Sequence, residues 1–273
     1  MLWEDLSVLE FEKAVKESGV CILPIGVLEK HGNHLPLGTD MITCREICKA
    51  AAQKEGAVVF PYYYLGQIAE GRHFAGTISV SNKLMMESLL AMCDEISRNG
   101  FKKIIILSGH GGNGHFLPFF AQEMPRLDRD YCVYTAFSWA LSSTQREEIA
   151  KVTGGENLGA HAGLSETSLI MHLRPELVNM ETQDSKESVA LGKLSDISKH
   201  GLFNGFHWYA NYPEHFAGDH KNSTPQLGKM IFDMAVGNVV EMIKAVKADD
   251  VSPQFVKEYA EYGKDTTKTP KYY

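Results

Sequence analysis

A carboxylate, an imidazole and a second carboxylate stand close together in Glu29-Lys-His31-Gly-Asn-His34-Leu-Pro-Leu-Gly-Thr-Asp40. In extended chain Glu29 and His31 point to one side, and the turn through His34-Leu-Pro-Leu-Gly can return Asp40 at the start of a helix. Such borderline ligands suit zinc, manganese or iron, and a carboxylate can bridge two ions. The competing structural reading makes Asp40 a helix cap and leaves Glu29 and His31 as solvated loop residues.

A second segment, Ser108-Gly109-His110-Gly-Gly-Asn113-Gly114-His115, places another histidine after an apolar run. Its glycines let the backbone approach a metal or substrate, and the Asn113 amide can orient a ligand or a loop. His115 reads as helix packing. The same segment matches G-x-G-x-x-G through Gly109, Gly111 and Gly114, which raises a nicotinamide-cofactor oxidoreductase as a rival. That rival needs an acidic residue closing the next strand to hold the ribose, whereas the strand here ends Thr135-Ala-Phe137-Ser-Trp139. The third segment, His161-Ala-Gly-Leu-Ser-Glu166-Thr-Ser, puts Glu166 in the first turns of a helix, where the dipole alone would favour a carboxylate. There is no G-x-S-x-G elbow and no cysteine in a glycine-rich loop, so an activated water is a better nucleophile than any side chain.

The elements that must position these residues alternate. Val20 to Val27 reads as a buried strand, Met41 to Gln53 as a helix, Ala57 to Pro61 as a strand, Lys83 to Arg98 as a helix and Ile104 to Leu107 as a central strand. His115 to Glu123, Ser143 to Val152, Leu164 to Leu173 and Thr224 to Ala248 have helical spacing, and Tyr131 to Phe137 alternates as a strand. This order predicts a single α/β domain, a mostly parallel sheet flanked by helices on both faces, with ligands beyond the carboxyl ends of the strands. The domain spans 1–250. Residues 251–273 form a polar tail that either wraps a neighbouring surface or is partly disordered, and Glu181 to Lys199 is polar enough for an exposed insertion.

The bulk composition narrows the partners. With 273 residues, 44% hydrophobic and 22% charged, the chain can bury a full core. Its net charge of -7 repels phosphate backbones and anionic lipid, which argues against nucleic acid and membranes. No apolar run reaches the roughly 18 residues of a membrane span, and the acidic N-terminus is unlike a signal peptide, so a cytoplasmic address is expected. Five cysteines without C-x-x-C spacing read as reduced thiols, with Cys44 and Cys48 in core packing rather than on a metal.

Taken together, LPIGVLEKHGNHLPLGTD, the GTIS at Gly76 to Ser79, SGHGGNGH and HAGLSETS resemble, in order and spacing, the signatures of the creatininase (creatinine amidohydrolase) family across most of the chain. The resemblance implies a hydrolase with two divalent ions, Glu29 and His31 each on one, Asp40 bridging, and His110 as a further ligand. It also implies a hydroxide held between the ions and His161 as the group moving protons to the leaving group. Two departures are informative. The creatininase that names the family carries Tyr-Glu after the ligand histidine, and Gly111-Gly112 here removes a carboxylate that Glu166 is expected to replace. It also carries Trp-Asp at a substrate-contacting position where this chain has Asn157-Leu158, which argues against creatinine itself.

His207-Trp208-Tyr209-Ala-Asn211-Tyr-Pro-Glu-His215 is rich in groups that stack on a polar ring, so Trp208, Tyr209 and His215, with Arg72 and His73, are the expected substrate contacts beside Asn113. The leading expectation is hydrolysis of a cyclic amide or formamide C–N bond in a small polar molecule. The alternatives are a sugar-derived cyclic ketone or lactone as substrate, or, in another class, an oxidoreductase or a non-catalytic metal-binding protein. The resemblance further implies a homo-oligomer, often a hexamer.

Overall fold

Alternate residues of the central strands point to opposite faces, and both faces are apolar. β1 (Val20–Ile25), β2 (Val58–Val59), β3 (Lys103–Ser108) and β4 (Cys132–Phe137) pair in parallel in the order β2-β1-β3-β4. The computed structural model describes residues 1–155, 158 and 161–270, apart from the side chain of residue 185. Asn157, at a position compared above, and the last three tail residues lie outside that set. The helices are α1 (Val8–Ser18), α2 (Thr39–Glu55), α3 (Asn82–Arg98), α4 (Asn113–Glu123), α5 (Ser143–Thr153), α6 (Leu164–Leu173), α7 (Ser195–Lys199), α8 (His207–Asn211), α9 (Pro225–Ala248) and α10 (Val251–Lys264).

Cys21, Leu23 and Ile25 with Ile104 and Ile106 face α1, α3 and α4, meeting Met85, Leu89, Ile96 and Phe120. Val20, Ile22, Ile105 and Leu107 face α2 and α9, meeting Ile47, Ala51, Val239 and Ile243. Helices therefore cover both faces of a four-stranded parallel sheet, as the alternating pattern predicts. From β1 the chain first crosses to β2 and then returns to β3 on the other side, register running from Val20 opposite Lys103 to Ile25 opposite Ser108. That reversal opens a crevice beyond the carboxyl ends of β1 and β3.

Several expectations need correcting. β2 is only two residues long, shorter than the run to Pro61. α1 was not expected, although Ser7 and Glu10 form a reciprocal capping box and Gly19 ends the helix at φ 64°. The tail is not featureless: α10 runs along the β4 edge, where Lys264 pairs with Asp128 at 2.6 Å, and just ahead of it the Tyr134 hydroxyl donates to Asp249 at 2.8 Å. The 181–199 segment is mostly exposed, but buried Gln183 accepts the Asn33 N–H at 2.5 Å and so clamps the turn after His31. All five cysteines are buried free thiols, and Cys44 donates to the Leu107 carbonyl at 3.2 Å, consistent with core packing.

α6 lies so close on α9 that a Cβ at Gly228 would come within 1.8 Å of the Ser168 carbonyl oxygen. A helix-interior glycine costs propensity, and here close approach explains it. Gly237, on the same helix, has nothing within 4 Å of its would-be Cβ. Gly228→Ala is expected to lower stability by about 2–3 kcal/mol, and Gly237→Ala to raise it by about 0.5–1 kcal/mol, read from urea midpoints. Equal shifts would mean that helix propensity rather than the α6–α9 contact decides both.

Candidate metal centre

The loop after β1 returns Glu29, His31 and, from the first turn of α2, Asp40; the loop after β3 brings His110; the start of α6 brings Glu166. Gly38, not Asp40, is the helix cap, so the Asp40 carboxylate is free to face the crevice. Glu29 and His31 are fully buried rather than solvated, which removes the bland reading of that loop.

Each imidazole is oriented by a carbonyl. His110 Nε2 lies 2.6 Å from the Gln67 carbonyl oxygen, and only a protonated nitrogen can meet that acceptor, so Nε2 donates. Its Nδ1 then points between Glu29 Oε1, at 2.7 Å, and Asp40 Oδ2, at 3.0 Å. His31 repeats the pattern, with Nδ1 3.3 Å from the Glu29 carbonyl and Nε2 3.1 Å from Asp40 Oδ1 and 3.8 Å from Glu166 Oε2. Histidines that ligate metals are commonly held this way, by a carbonyl on the far nitrogen.

Among the described residues three groups of ligand atoms result, each within 4.8 Å: Glu29, Asp40 and His110; His31, Asp40 and Glu166; and Glu29, His31 and His161. Asp40 belongs to the first two. Glu29 Oε1 and Asp40 Oδ2 are buried without a hydrogen bond of acceptable geometry despite lying near His110. Buried lone pairs that converge in this way need a proton or a cation between them. Carboxylate and imidazole donors of this kind fit zinc, manganese or iron.

The electrostatics carry the same message. Burial works against the His31 imidazolium, but Asp40, with Glu166 and Glu29, overcomes it and raises the pKa to about 10. Burial opposes the charged form of His110 too, and Glu29 and Asp40 nevertheless hold it well above its usual value. For Glu29, burial is overcome by the charges of His110 and His161 and the carboxyl is held low. Burial pushes Glu166 up to about 7 in spite of His31. Glu166 Oε2 accepts the Ala162 N–H at 2.6 Å, and Ala162 holds a left-handed φ of 56°.

His161 lines the same cavity of about 310 Å³ together with Glu70, Trp139, Trp208 and His215. Its Nε2 lies 2.7 Å from the Lys30 carbonyl, and burial drives the pKa well below the usual histidine value, so the neutral ring carries its proton on Nε2 and its lone pair on Nδ1. Trp208 is on the cavity wall, as expected of a substrate contact. Its indole N–H donates to His215 Nδ1 at 3.0 Å, and His215 Nε2 in turn donates to Glu29 Oε2 at 2.6 Å. His215 is thus a positioning residue for Glu29.

Other expected contacts lie elsewhere. Asn113 is buried, with Oδ1 accepting the Gln67 N–H at 3.0 Å and Nδ2 donating to Ser108 at 3.1 Å, so it braces the loop that orients His110. Arg72, His73 and Tyr209 are exposed and outside the cavity lining; His73 meets the Pro213 carbonyl at 3.1 Å and stands edge-on to Tyr209 at 5.0 Å. Glu70 and Trp139 escaped sequence reasoning, since neither sits at ligand-like spacing. The G-x-G-x-x-G loop overlies the Glu29 and Asp40 carboxylates, which would repel a pyrophosphate, and the oxidoreductase reading fails on that ground. Among the described residues no helix is long and apolar enough to cross a membrane.

Comparison with known proteins bears on this site. Residues 4–243 match the Creatininase family model, described as creatinine amidohydrolase. The chain is 29% identical over 192 residues to the creatinine amidohydrolase of Pseudomonas putida, covering 65% of this chain and 73% of that protein. It is 27% identical over 234 residues to the mycofactocin precursor peptide peptidase of Mycobacterium ulcerans, covering 81% and 83%. A 3-dehydro-scyllo-inosose hydrolase from Thermotoga maritima is 24% identical over 221 residues, covering 77% and 68%. In three dimensions the chain resembles a candidate creatinine amidohydrolase from Bacteroides fragilis, with TM-score 0.76 and 24% identity over 92% of this chain and 98% of the other. A manganese form of creatininase superposes with TM-score 0.72 at 22% identity, over 89% and 97%.

Metal ligation requires deprotonated imidazoles, and His31 holds its proton up to about pH 10 without metal. Uptake of zinc or manganese at pH 7 is therefore expected to release protons, with apparent affinity rising as pH rises. Calorimetry in buffers of differing ionisation enthalpy reads the proton count; a count of zero would sink the assignment. Without metal, the raised His31 pKa contributes stability that is fully present below pH 6.5 and lost as pH rises through about 10.

Proposed function

This chain belongs to the creatininase family, a family of metal-dependent hydrolases, and from that premise we propose that it hydrolyses a C–N amide bond, cyclic or formamide-like, in a small polar molecule. The observation that carries the reading is the sharing of Asp40 between two ligand groups at the wall of a cavity that His161 also lines. In this proposal Glu29, Asp40 and His110 hold one divalent ion, and His31, Asp40 and Glu166 hold the other. Such ions, when bound, lower the pKa of water and polarise a carbonyl.

The chain's own groups do the remainder. His215 donates to Glu29 Oε2 and so fixes which way that carboxylate faces. The Gln67 and Glu29 carbonyls keep His110 and His31 in the tautomers whose free nitrogens face the carboxylates. His161, neutral and anchored to the Lys30 carbonyl, takes up a proton at Nδ1 and delivers it to the departing nitrogen. Trp139 and Trp208 supply flat walls that keep water off the reacting bond and stack on a planar amide.

Two of the relatives are named for amide chemistry, on creatinine and on a peptide, which supports the amide reading. The relative named for 3-dehydro-scyllo-inosose supports the second reading, hydrolysis of a sugar-derived cyclic ketone or lactone, because the same machinery acts on any polarised carbonyl. A homo-oligomeric assembly, as a hexamer, and a cytoplasmic address belong to the same proposal; the acidic net charge of -7 fits the address.

Hydrolysis screens of the zinc-, manganese- and iron-loaded protein against cyclic amides, formamides, lactones and cyclic ketones separate the two readings. His161→Asn is expected to keep both ions and lose turnover by about 100-fold or more; unchanged turnover would remove its proton-moving role. Glu166→Gln is expected to bring the metal content from two ions per chain towards one, read by elemental analysis, and unaltered stoichiometry would point to another ligand.

A further inference from the structure

Behind the metal centre lies a second cavity, of about 320 Å³, that shares Asp40, Glu166 and Trp139 with the first. Its walls are apolar where Leu141, Leu169 and Ile231 line it. Among the described residues lining it, Arg146 of α5 is the one basic side chain, open to solvent and in no ion pair with a described carboxylate. Thr43, 5% exposed, also lines it, and its Oγ1 is buried with no hydrogen-bond partner. An orphaned buried hydroxyl costs free energy that a ligand's polar group would recover.

The lining therefore combines the carboxylates shared with the metal centre, apolar side chains and one guanidinium. Creatinine-sized molecules would leave it unused, since the first cavity alone is about 310 Å³. We propose that it is a specificity subsite, and that the substrate is an N-formyl derivative of an apolar amino acid. The amide lies against the Asp40 and Glu166 wall, the aliphatic side chain against Leu141, Leu169 and Ile231, and the free carboxylate on Arg146. A guanidinium binds a carboxylate through paired, charge-assisted hydrogen bonds, whereas a neutral amide forfeits the charge. Hydrolysis breaks the formyl C–N bond: water supplies OH to the carbonyl carbon and H to the nitrogen, leaving formic acid and the free amino acid.

This inference rests on the hydrolase reading of the neighbouring centre, and the test keeps the two apart. The probes are N-formyl-leucine and N-formyl-leucinamide, titrated calorimetrically into the metal-loaded protein, with amine release followed in parallel. The acid is expected to bind about tenfold more tightly than the amide. In Arg146→Gln that preference should collapse to about twofold or less, and Thr43→Val should weaken both probes by about threefold or more. Equal affinity for the two probes in the unaltered protein, or a preference that survives Arg146→Gln, overturns the subsite. An Arg146-dependent preference without amine release supports the subsite and counts against the hydrolase reading. Hydrolysis of neutral amides with no gain from the carboxylate does the reverse.

Discussion

Three carboxylates, those of Glu29, Asp40 and Glu166, converge where bulk water is largely excluded, and the rest of the site is a response to that concentration of negative charge. Burying one unpaired carboxylate costs several kcal/mol, so such a cluster persists only with cations or protons among its oxygens. His31 and His110 supply protons when nothing else does, which is why their imidazoles are held charged against burial. On the proposed ligation the same two rings would serve as neutral ligands once divalent ions take over that role. Carbonyls of Glu29 and Gln67 hold the rings in one orientation for both conditions, so the exchange of protons for metal requires no rearrangement of the framework.

The fold meets this demand through its topology. The reversal of strand order at β1 and β3 leaves two loops facing one crevice; the first contributes Glu29 and His31, and the second His110, whose Nδ1 lies 2.7 Å from Glu29. α2 starts there and aims Asp40 inward, between the two imidazoles. Glu166 arrives from farther along the chain, and its placement is the more elaborate. Gly228 lets α6 settle against α9, and Ala162 adopts φ 56° so that its N–H can meet the Glu166 carboxylate. A left-handed alanine costs on the order of 1–2 kcal/mol, a strain typical of segments whose geometry serves a site.

The strands and longer helices were legible because their periodicity is strong and both sheet faces are apolar. Glu29, His31, Asp40 and His110 were legible because they follow strands, and strand ends are where such a sheet binds ligands. Glu166 was reached differently, through the need to replace a carboxylate lost at Gly112. What escaped depends on pairings between distant segments. His215 looks like a substrate contact in an aromatic loop, but 186 residues of separation close to bring it onto Glu29. Asn113 likewise reads as a polar group in a glycine loop, and only the packing of the Gln67 segment shows that it braces backbone. α1 was missed for a local reason, since its Ser7–Glu10 box sits among acidic residues that were weighed only as evidence about targeting.

The centre and its surroundings answer to different constraints. Moving any ligand would strand buried charge, so the Glu29, Asp40 and His110 geometry is rigidly determined. Trp139, Arg146, Trp208 and Glu70 are under no such compulsion, because they line cavity walls on loops and on helices remote from the sheet. Changes there alter which molecule fits without disturbing the charge balance underneath. Relatives named for creatinine, a peptide and an inosose derivative are what such a division would produce: one charge-determined centre reused beneath variable walls. Asp40, Glu166 and Trp139 line both cavities, and Trp139 is the one of the three that carries no charge, so a change there reshapes both walls and leaves the carboxylate cluster as it is.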